Sequence, residues 1–263
     1  MNLLTFTFLA IDPVLLSIGP IKIHWYGVAY IAGILAGWRY ALYLARHYAS
    51  DLKEKDFDDF VTWIVIAIIV GGRLGHIFIY EAGYYFSHPL EILMTWRGGM
   101  SFYGGLVGVI IATLVYCKRR SINPLRFADV MAATVPIGIG LGRIANFING
   151  ELYGRVTDVP WAVEFPAGGF LPRHPSQLYE AALEGLVLFL ILGFVWHRTQ
   201  LSKTPGRITG LFLIGYAVSR FLVEYVREPD VVYNFLSLPL TTGQLLALPF
   251  FVIGIFWALP KRT

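Results

Sequence analysis

Long apolar runs are the feature that most constrains how this chain can fold. The 263 residues are 56% hydrophobic and only 14% charged, whereas a soluble domain carries about 25% charged residues. The apolar residues form blocks of about 20, the length at which a helix crosses a bilayer. Such runs are too long for the strands of a membrane barrel, and a helix satisfies its own backbone hydrogen bonds in lipid. We therefore predict an all-α polytopic membrane protein with about seven transmembrane helices, at His24–Arg46, Phe57–Tyr80, Met100–Cys117, Phe127–Asn146, Gln177–Trp196, Ile208–Tyr225 and Gln244–Leu259.

The lysines and arginines predict the orientation of these spans. With the amino terminus outside, most basic residues lie in cytoplasmic segments, including Lys118-Arg119-Arg120 and Lys261-Arg262, as positive-inside topology requires. We predict a multi-pass membrane protein with its amino terminus outside and its carboxyl terminus in the cytoplasm. The net charge of +4 does not indicate nucleic-acid binding, because the basic residues lie in short clusters between apolar blocks.

The domain organisation is predicted to be simple. Residues 1–263 are expected to form a single transmembrane domain. The outer loop 147–176 is rich in glycine, proline and aromatic residues. It is too apolar for a disordered linker and too short for a separate domain, so we predict that it forms a small periplasmic head.

Local signals support the helix starts and the contacts between helices. Thr241 and Gln244 have the spacing of a capping box, and Ser176 after Pro175 is placed to cap the fifth span. Small residues allow membrane helices to approach closely. Such residues recur within the predicted spans at Gly33, Ala36, Gly37, Gly104, Gly105 and Gly108.

A polar segment follows the fourth apolar run. Between Phe127 and Leu141 Asp129 is the one charged residue, and then Gly142-Arg143-Ile144-Ala145-Asn146-Phe147-Ile148-Asn149-Gly150-Glu151-Leu152-Tyr153-Gly154 follows. Polar groups at membrane depth are costly, so they usually face a site. A continuing helix places the side chains at positions 143 and 146 on one face. The glycines at 150 and 154 allow the chain to leave that helix.

Arg143 and Arg220 are the strongest candidates for chemistry, because both fall near the outer ends of their spans. One interpretation is structural: each side chain reaches the headgroup region or forms an internal ion pair with Glu151 or Glu224. The other is functional: a guanidinium matches the geometry of a phosphate group. Arg73 is a third arginine in the outer half of a span.

Several classes of chemistry lack support in the sequence. The single cysteine, Cys117, excludes an internal disulfide and a multi-cysteine metal site. HExxH, GxSxG and Walker motifs are absent from the sequence, so zinc-protease, serine-hydrolase and NTPase functions are not indicated. Cys117 lies at the inner end of its span, so a reacting thiol would come from a partner. We expect no cofactor and no metal.

The polar segment resembles the signature of the bacterial phosphatidylglycerol–prolipoprotein diacylglyceryl transferase family, with every fixed position between Gly142 and Gly154 filled. The resemblance extends over nearly the whole chain. It includes His24-Trp25-Tyr26-Gly27, Gly71-Gly72-Arg73, Gly98-Gly99-Met100-Ser101-Phe102, Arg173-His174-Pro175-Ser176-Gln177-Leu178-Tyr179-Glu180, Arg220 with Glu224, and Arg227-Glu228-Pro229-Asp230.

The resemblance implies a multi-pass transferase of the bacterial inner membrane with seven helices, a periplasmic amino terminus and a cytoplasmic carboxyl terminus. Such enzymes move the diacylglyceryl group of phosphatidylglycerol onto the lipobox cysteine of a preprolipoprotein, forming a thioether and releasing glycerol-1-phosphate. The implied partners are phosphatidylglycerol, the preprolipoprotein signal peptide and membrane lipid, without nucleic acid. The alternative is a transporter or lipid-binding protein that uses the same arginines to hold an anion. Transporters often show paired, interrupted helices, whereas this sequence shows one marked interruption, after Asn146.

The residues expected at the site, near the periplasmic leaflet, fall into two groups. Those assigned a catalytic role are Arg143, Arg220, Tyr103 and Tyr26. Those assigned to substrate binding are Arg143, Asn146, Glu151, Gly154, Arg220, Glu224, Arg227, Arg73 and His24.

One position departs from the family pattern, which often has histidine where this chain has Tyr103. An unperturbed tyrosine, with a pKa near 10, is a poor base at neutral pH. Three hypotheses follow: a neighbouring arginine activates Tyr103, His24 or His76 takes over, or no dedicated base is needed. We favour the last, because a thiol held among arginines is already acidified.

Overall fold

The computed structural model describes residues 6–7, 11–19, 21–229, 231–235 and 238–259. Asp230, part of the family resemblance, lies outside the described residues, as do Lys261 and Arg262, which entered the orientation argument.

Helices make up most of the described chain. They are α1 (Trp25–Tyr48), α2 (Glu54–Tyr80), α3 (Ala82–Ser87), α4 (Phe102–Arg120), α5 (Pro124–Ile148), α6 (Ser176–Glu180), α7 (Leu188–Arg198), α8 (Arg207–Val223) and α9 (Thr242–Ala258). A π-helical segment, Ala181–Val187, joins α6 to α7 into one continuous helix.

Five helices are long and apolar enough to cross a membrane: Trp25–Tyr48, Glu54–Tyr80, Phe102–Arg120, Pro124–Ile148 and Ser176–Arg198. The predicted spans there end within a few residues of the observed helices, which confirms a multi-helix membrane protein. The two remaining predicted spans correspond to α8 and α9, which have 17 residues each. At 1.5 Å per residue such a helix is about 25 Å long, so the count of seven spans stays a prediction.

Short strands accompany the helices, and the all-α prediction did not include them. They are β1 (Phe6–Thr7), β2 (Val14–Ile18), β3 (Ile21–His24), β4 (Val163–Glu164), β5 (Pro172–Arg173), β6 (Val232–Phe235) and β7 (Leu238–Thr241). β4 pairs with β1 in parallel and with β5 antiparallel, while β2–β3 and β6–β7 are antiparallel pairs. The predicted head segment 147–176 therefore contains regular structure of its own.

The chain separates into two compact units. The first consists of residues 1–41 and 129–263, and the second of residues 42–128. The boundaries fall inside α1 and α5. The prediction of a single transmembrane domain is not decided by this division and stays a prediction.

Glycines bring α2 and α4 together in the second unit. A Cβ atom added to Gly75 would lie 2.5 Å from Gly104 Cα, and one added to Gly108 would lie 2.5 Å from Ala67 O. Real Cβ atoms do not approach other atoms so closely. The two backbones can therefore contact each other here only because these positions are glycines, which have no side chain. This confirms the close-contact interpretation of Gly104 and Gly108.

In the first unit, Asp129 accounts for the one charge in the fourth apolar run. Its fully buried carboxylate accepts hydrogen bonds from Gly206 N, Thr209 N and Thr209 Oγ1, each at 2.8 Å. The two backbone N–H groups stand at the start of α8 and lack partners inside that helix, and the Thr209 hydroxyl adds a third hydrogen bond. Asp129 is thus a cap supplied from another helix.

The two cap predictions had different outcomes. The capping box of Thr241 and Gln244 is confirmed, with both reciprocal hydrogen bonds present. The prediction that Ser176 caps the fifth span is wrong, because Pro175 occupies the cap position without a side-chain bond. Ser176 Oγ instead donates to Leu152 O at 3.0 Å, since the neighbouring loop competes for its hydroxyl.

Candidate active site

Six charged side chains meet in the first unit. They are contributed by α5, by the helix from Ser176 to Arg198, by α8 and by the residues after α8: Arg143, Arg220 and Arg227 as cations and Glu180, Glu184 and Glu224 as anions. Three positive and three negative charges make the cluster formally neutral. Such balance is expected, since an unpaired buried charge is strongly destabilising.

Glu180 lies at the centre of this cluster, and its side chain is fully buried. Its Oε1 atom is 2.5 Å from Arg220 Nη1 and 3.5 Å from Arg227 Nη1, and its Oε2 atom is 3.3 Å from Arg143 Nη1. One carboxylate thus holds three guanidinium groups, and it ties Arg143 to Arg220 although they lie on different helices.

Glu184 is the second fully buried carboxylate, and its Oε2 atom lies 3.4 Å from Arg143 Nη2. Glu184 lies in the π-helical segment, a conformation found frequently at functional sites. The next residue, Gly185, allows α5 to approach, because an added Cβ atom would lie 2.7 Å from Gly140 Cα. This close crossing brings Arg143 to Glu184.

The third carboxylate, Glu224, forms an ion pair through Oε1 with Arg220 Nη2. Its other oxygen accepts a hydrogen bond of 2.6 Å from Thr241 Oγ1. Glu224 is the C-cap residue of α8 and is 3% exposed. The structural alternative considered for Arg220, an ion pair with Glu224, is therefore present.

The arginines are the more accessible side of the cluster. The side chains of Arg143 and Arg220 are 18% and 13% exposed, whereas those of Glu180 and Glu184 are fully buried. A guanidinium has five N–H donors, and the contacts of Arg220 with Glu180 and Glu224 use one hydrogen on each terminal nitrogen. The arginines thus keep donors for an external anion while the glutamates behind them fix their orientation.

The polar segment after Arg143 folds around Glu151. Glu151 Oε1 accepts hydrogen bonds from Asn146 Nδ2 at 2.8 Å and from Asn149 Nδ2 at 3.3 Å, and Gln177 Nε2 donates to Glu151 O at 2.6 Å. Among the described ion pairs, Arg143 contacts Glu180 and Glu184 rather than Glu151. The Asn146 amide connects Glu151 to the same helix that carries Arg143.

Gly154 lies where three chain segments cross. Its N–H donates to His174 O at 2.9 Å, it forms an antiparallel bridge with Arg227, and its carbonyl accepts from Arg173 Nη1 at 3.1 Å. A Cβ atom added to Gly154 would lie 2.6 Å from Val226 O and 2.7 Å from His174 O. This position therefore requires glycine for close backbone approach.

We expect Gly154→Ala to destabilise the protein by about 1–3 kcal/mol, the usual cost of an extra methyl group in a packed position. The clash is with backbone atoms, so the segments carrying His174 and Val226 must separate. Thermal unfolding in detergent measures the effect. Gly138→Ala is the control, because a Cβ atom there meets nothing within 4 Å. Equal unfolding temperatures for the two variants would contradict this account.

A hydrogen-bonded series lies beside this crossing. Trp161 Nε1 donates to Tyr179 Oη at 2.7 Å, and Tyr179 Oη lies 3.2 Å from His174 Nδ1. Burial lowers the pKa of His174, which favours the neutral imidazole at pH 7. The tautomer of the neutral ring decides whether His174 Nδ1 accepts from Tyr179 Oη or donates to it.

Tyr26 and His24 also belong to the first unit. Tyr26 lies in the first turn of α1, where its hydroxyl is 3.3 Å from Tyr30 Oη. It is close enough to Arg143 and Glu151 to interact electrostatically with both. His24 is the exposed last residue of β3.

Arg73 and Tyr103 belong to the second unit. Arg73 is 4% exposed and donates hydrogen bonds of 2.5–3.2 Å to four backbone carbonyls, those of Glu91, Ile92, Gly98 and Gly99. Its guanidinium also lies 4.9 Å from the centre of the Tyr85 ring. These contacts hold the connection between α2 and α4, whereas the predicted role of Arg73 in substrate binding remains untested. Tyr103, 41% exposed, lies in the first turn of α4, beside an apolar groove of about 750 Å³ between α2 and α4.

The sequence analysis missed Glu184 altogether and noted Glu180 only within a longer motif. A usable signal was present, because two glutamates four residues apart lie inside an apolar span. Positions i and i+4 share a helix face, and a carboxylate pair inside a membrane needs cationic partners. Thr241 was noted only as a cap, and Gly243 was not noted at all.

Comparison with known proteins gives a family match over nearly the whole chain. The family model described as prolipoprotein diacylglyceryl transferase matches residues 13–259. The chain belongs to the prolipoprotein diacylglyceryl transferase family. This membership confirms the predicted family and the predicted enzyme class, a transferase.

Curated relatives cover nearly the whole chain. A protein of Rhodospirillum rubrum is 54% identical over 250 residues, which are 94% of this chain and 91% of the relative. One of Azospirillum brasilense is 49% identical over 262 residues, 99% and 98% of the two chains. One of Agrobacterium fabrum is 48% identical over 260 residues, 96% and 93% of the two chains. All three carry the name phosphatidylglycerol–prolipoprotein diacylglyceryl transferase.

Proposed function

We propose that this chain transfers the diacylglyceryl group of phosphatidylglycerol to the lipobox cysteine thiol of preprolipoproteins, the first step of bacterial lipoprotein maturation. The function follows from the family and from relatives of about 50% identity that bear this name. One structural observation supports its assignment to a site: Arg143 and Arg220 share the buried carboxylate of Glu180 and are more exposed than it is.

The reaction needs a stabilised leaving phosphate. The thiol sulfur attacks the glycerol carbon that carries the phosphate, the C–O bond breaks, and its electron pair leaves with glycerol-1-phosphate. The thiol loses its proton as the C–S bond forms, and the departing glycerol-1-phosphate takes up this proton directly or through solvent. Because charge builds up on the phosphate oxygens during this step, fixed cationic donors lower the barrier. In our proposal Arg143 and Arg220 supply these donors, and Arg227 adds positive charge.

The remaining predicted residues have supporting roles in this proposal. Asn146 and Glu151 orient groups beside Arg143, and their mutual hydrogen bond of 2.8 Å keeps both side chains fixed. Gly154 holds the adjacent segments together. Tyr26 and His24 are the further residues proposed to act on substrate in the first unit, and Tyr103 and Arg73 are those proposed in the second. Glu224 orients Arg220.

The proposal includes the finer topology. It has seven spans, a periplasmic amino terminus, a cytoplasmic carboxyl terminus and a periplasmic head at 147–176. The basic residues between the apolar runs support this orientation. The site then opens toward the periplasmic leaflet, where exported preprolipoproteins arrive.

The test is transfer of radiolabelled diacylglycerol from phosphatidylglycerol to a lipobox peptide by the full chain in proteoliposomes. We expect a labelled thioether and released glycerol-1-phosphate, and no product with a peptide whose cysteine is replaced by serine. Anion or lipid flux in the same proteoliposomes without any transfer would favour the transporter alternative and contradict the proposal.

Tyr103→Phe tests whether this tyrosine acts as a base. We expect the variant to keep transfer within about tenfold of the wild type, because a thiol held among arginines already has a lowered pKa. The initial rate of labelled peptide formation at equal protein level measures the effect. Near-complete loss of transfer with a normal amount of folded protein would instead assign Tyr103 an essential hydroxyl.

A further inference from the structure

The first turn of α9 contacts the ion pair of Arg220 and Glu224. This turn lies outside the signature segment from Gly142 to Gly154. Thr241 Oγ1 donates to Glu224 Oε2 at 2.6 Å and accepts from Gln244 N at 3.2 Å. Thr241, Glu224 and Gln244 are each only 3–4% exposed. The contacts are therefore sheltered from water. Hydrogen bonds to charged groups are strongest in such a water-poor environment.

The direction of these hydrogen bonds is fixed by chemistry. A backbone N–H only donates and a carboxylate only accepts, so the Thr241 hydroxyl must point its hydrogen at Glu224. The hydroxyl thus has one rotamer in which both bonds are made. Glu224 also lies beside the amino-terminal end of α9, which favours a negative charge.

Gly243 completes the contact. A Cβ atom added to this residue would collide with Glu224 Oε1, and it would lie 2.5 Å from Glu224 Cδ and 2.9 Å from Arg220 Nη2. The backbone of α9 therefore lies directly against the ion pair. Any side chain at position 243 would displace the carboxylate, the guanidinium or both.

We infer that Thr241 and Gly243, in the first turn of α9, position the guanidinium of Arg220 for the phosphate of the donor lipid. Thr241 and Gly243 are positioning residues that act through Glu224 and do not touch the substrate. This inference rests on the proposed function. The same turn also starts α9, so the residues that cap this helix also help to orient a side chain proposed to bind phosphate.

Kinetic constants for the two substrates separate positioning from simple stabilisation. Thr241→Val removes the hydroxyl with little change of shape, and we expect it to raise the KM for phosphatidylglycerol about tenfold, the loss expected for one charge-assisted hydrogen bond. The KM for the lipobox peptide stays unchanged. Thr241→Ser, which keeps the hydroxyl, restores the KM for phosphatidylglycerol. A purely structural role would reduce the fraction of active enzyme and change neither KM.

Two further variants separate the effect of the helix cap from the effect of the ion pair between Arg220 and Glu224. Gly243→Ala disturbs Glu224 and Arg220 while leaving the cap residues in place, so we expect a raised KM for phosphatidylglycerol. Gln244→Ala removes the bond that Gln244 Oε1 accepts from Thr241 N but keeps the hydroxyl bond to Glu224. It should lower the unfolding temperature and leave that KM unchanged. Thr242→Val is the matched control for Thr241→Val, since Thr242 hydrogen-bonds to Val231 O instead.

Coupling to Arg220 is the decisive comparison. In an Arg220→Lys background, Thr241→Val should cause no further rise in the KM for phosphatidylglycerol, because residues acting through one group are non-additive. Additive effects, or a Gln244→Ala variant as impaired as Thr241→Val, would overturn the inference. A wild-type protein without transfer would contradict the proposed function together with this inference, whereas transfer that is indifferent to positions 241 and 243 contradicts the inference alone.

Discussion

Replacing Arg220 by alanine is expected to lower the rate of diacylglyceryl transfer by about 100- to 1000-fold, the usual effect of removing one donor that stabilises a developing anion. The leaving phosphate gains negative charge as the C–O bond breaks, so the contact with Arg220 strengthens in the transition state. The loss should therefore lower kcat, and the contact with the phosphate of the bound lipid that is also lost should raise the KM for phosphatidylglycerol. Arg143→Ala is expected to behave in the same way, because its guanidinium shares Glu180 with that of Arg220.

Folding must be separated from catalysis in this experiment. Arg220→Ala leaves Arg143 and Arg227 beside Glu180, so the central carboxylate keeps cationic partners. Arg220→Lys retains the charge without the two-pronged geometry and should be intermediate in rate. Arg46→Ala is the control, because Arg46 forms an ion pair with Glu54 but its side chain is 64% exposed. Transfer that survives in both Arg143→Ala and Arg220→Ala would overturn the site assignment.

The second large effect is on stability, at Glu180. Glu180→Ala leaves three guanidinium groups close together around the space of the lost carboxylate, and breaking a buried ion pair costs about 3–5 kcal/mol. Glu180→Gln retains an oxygen that accepts hydrogen bonds and fills the same volume, so its loss should be smaller. Thermal unfolding in detergent micelles, followed by circular dichroism, measures both.

The matched control is Glu54→Ala, the same change in an ion pair whose glutamate side chain is 39% exposed. Exposed ion pairs contribute little to stability, so this variant should unfold close to the wild-type temperature. If Glu180→Ala and Glu54→Ala unfold alike, Glu180 is not the centre of the charge cluster.

Helix positions followed from the sequence because membrane crossing is a local property. The length of an apolar run predicts the length of the helix, and its apolar composition predicts that the helix lies in lipid. The predicted start at His24 and the observed start at Trp25 differ by one residue. The capping box at Thr241 was likewise readable, since its two partners are three residues apart in the chain.

The ion-pair partners of the buried charged residues could not be predicted from the sequence in the same way. Arg143 was paired with Glu151 as one alternative because the two are neighbours in the sequence, whereas its contacts are Glu180 and Glu184. Those contacts depend on the crossing of α5 with the π-helical segment at Gly140 and Gly185. Neither a π-helix nor a crossing point has a dependable sequence signal.

Short strands and backbone contacts were missed for a related reason. β4 and β5 have two residues each, too few for an alternating pattern to be recognised. Arg73 looked like a candidate for an anion, but four backbone carbonyls accept its hydrogen bonds. Carbonyl acceptors belong to every residue, so the sequence alone does not reveal which loop will supply them.

The charge cluster has a consequence for the order in which the chain is made. Glu184 follows Arg143 by 41 residues, and Arg220 follows Glu180 by 40. During synthesis Arg143 thus enters the membrane one span before Glu180 and Glu184, and an arginine within a span is costly while it has no counter-ion. The next helix brings in Glu180 and Glu184, and α8 with the residues after it brings in Arg220, Glu224 and Arg227. The cluster becomes formally neutral only when all three segments are in place, so the ion pairs link successive steps of membrane insertion to one another.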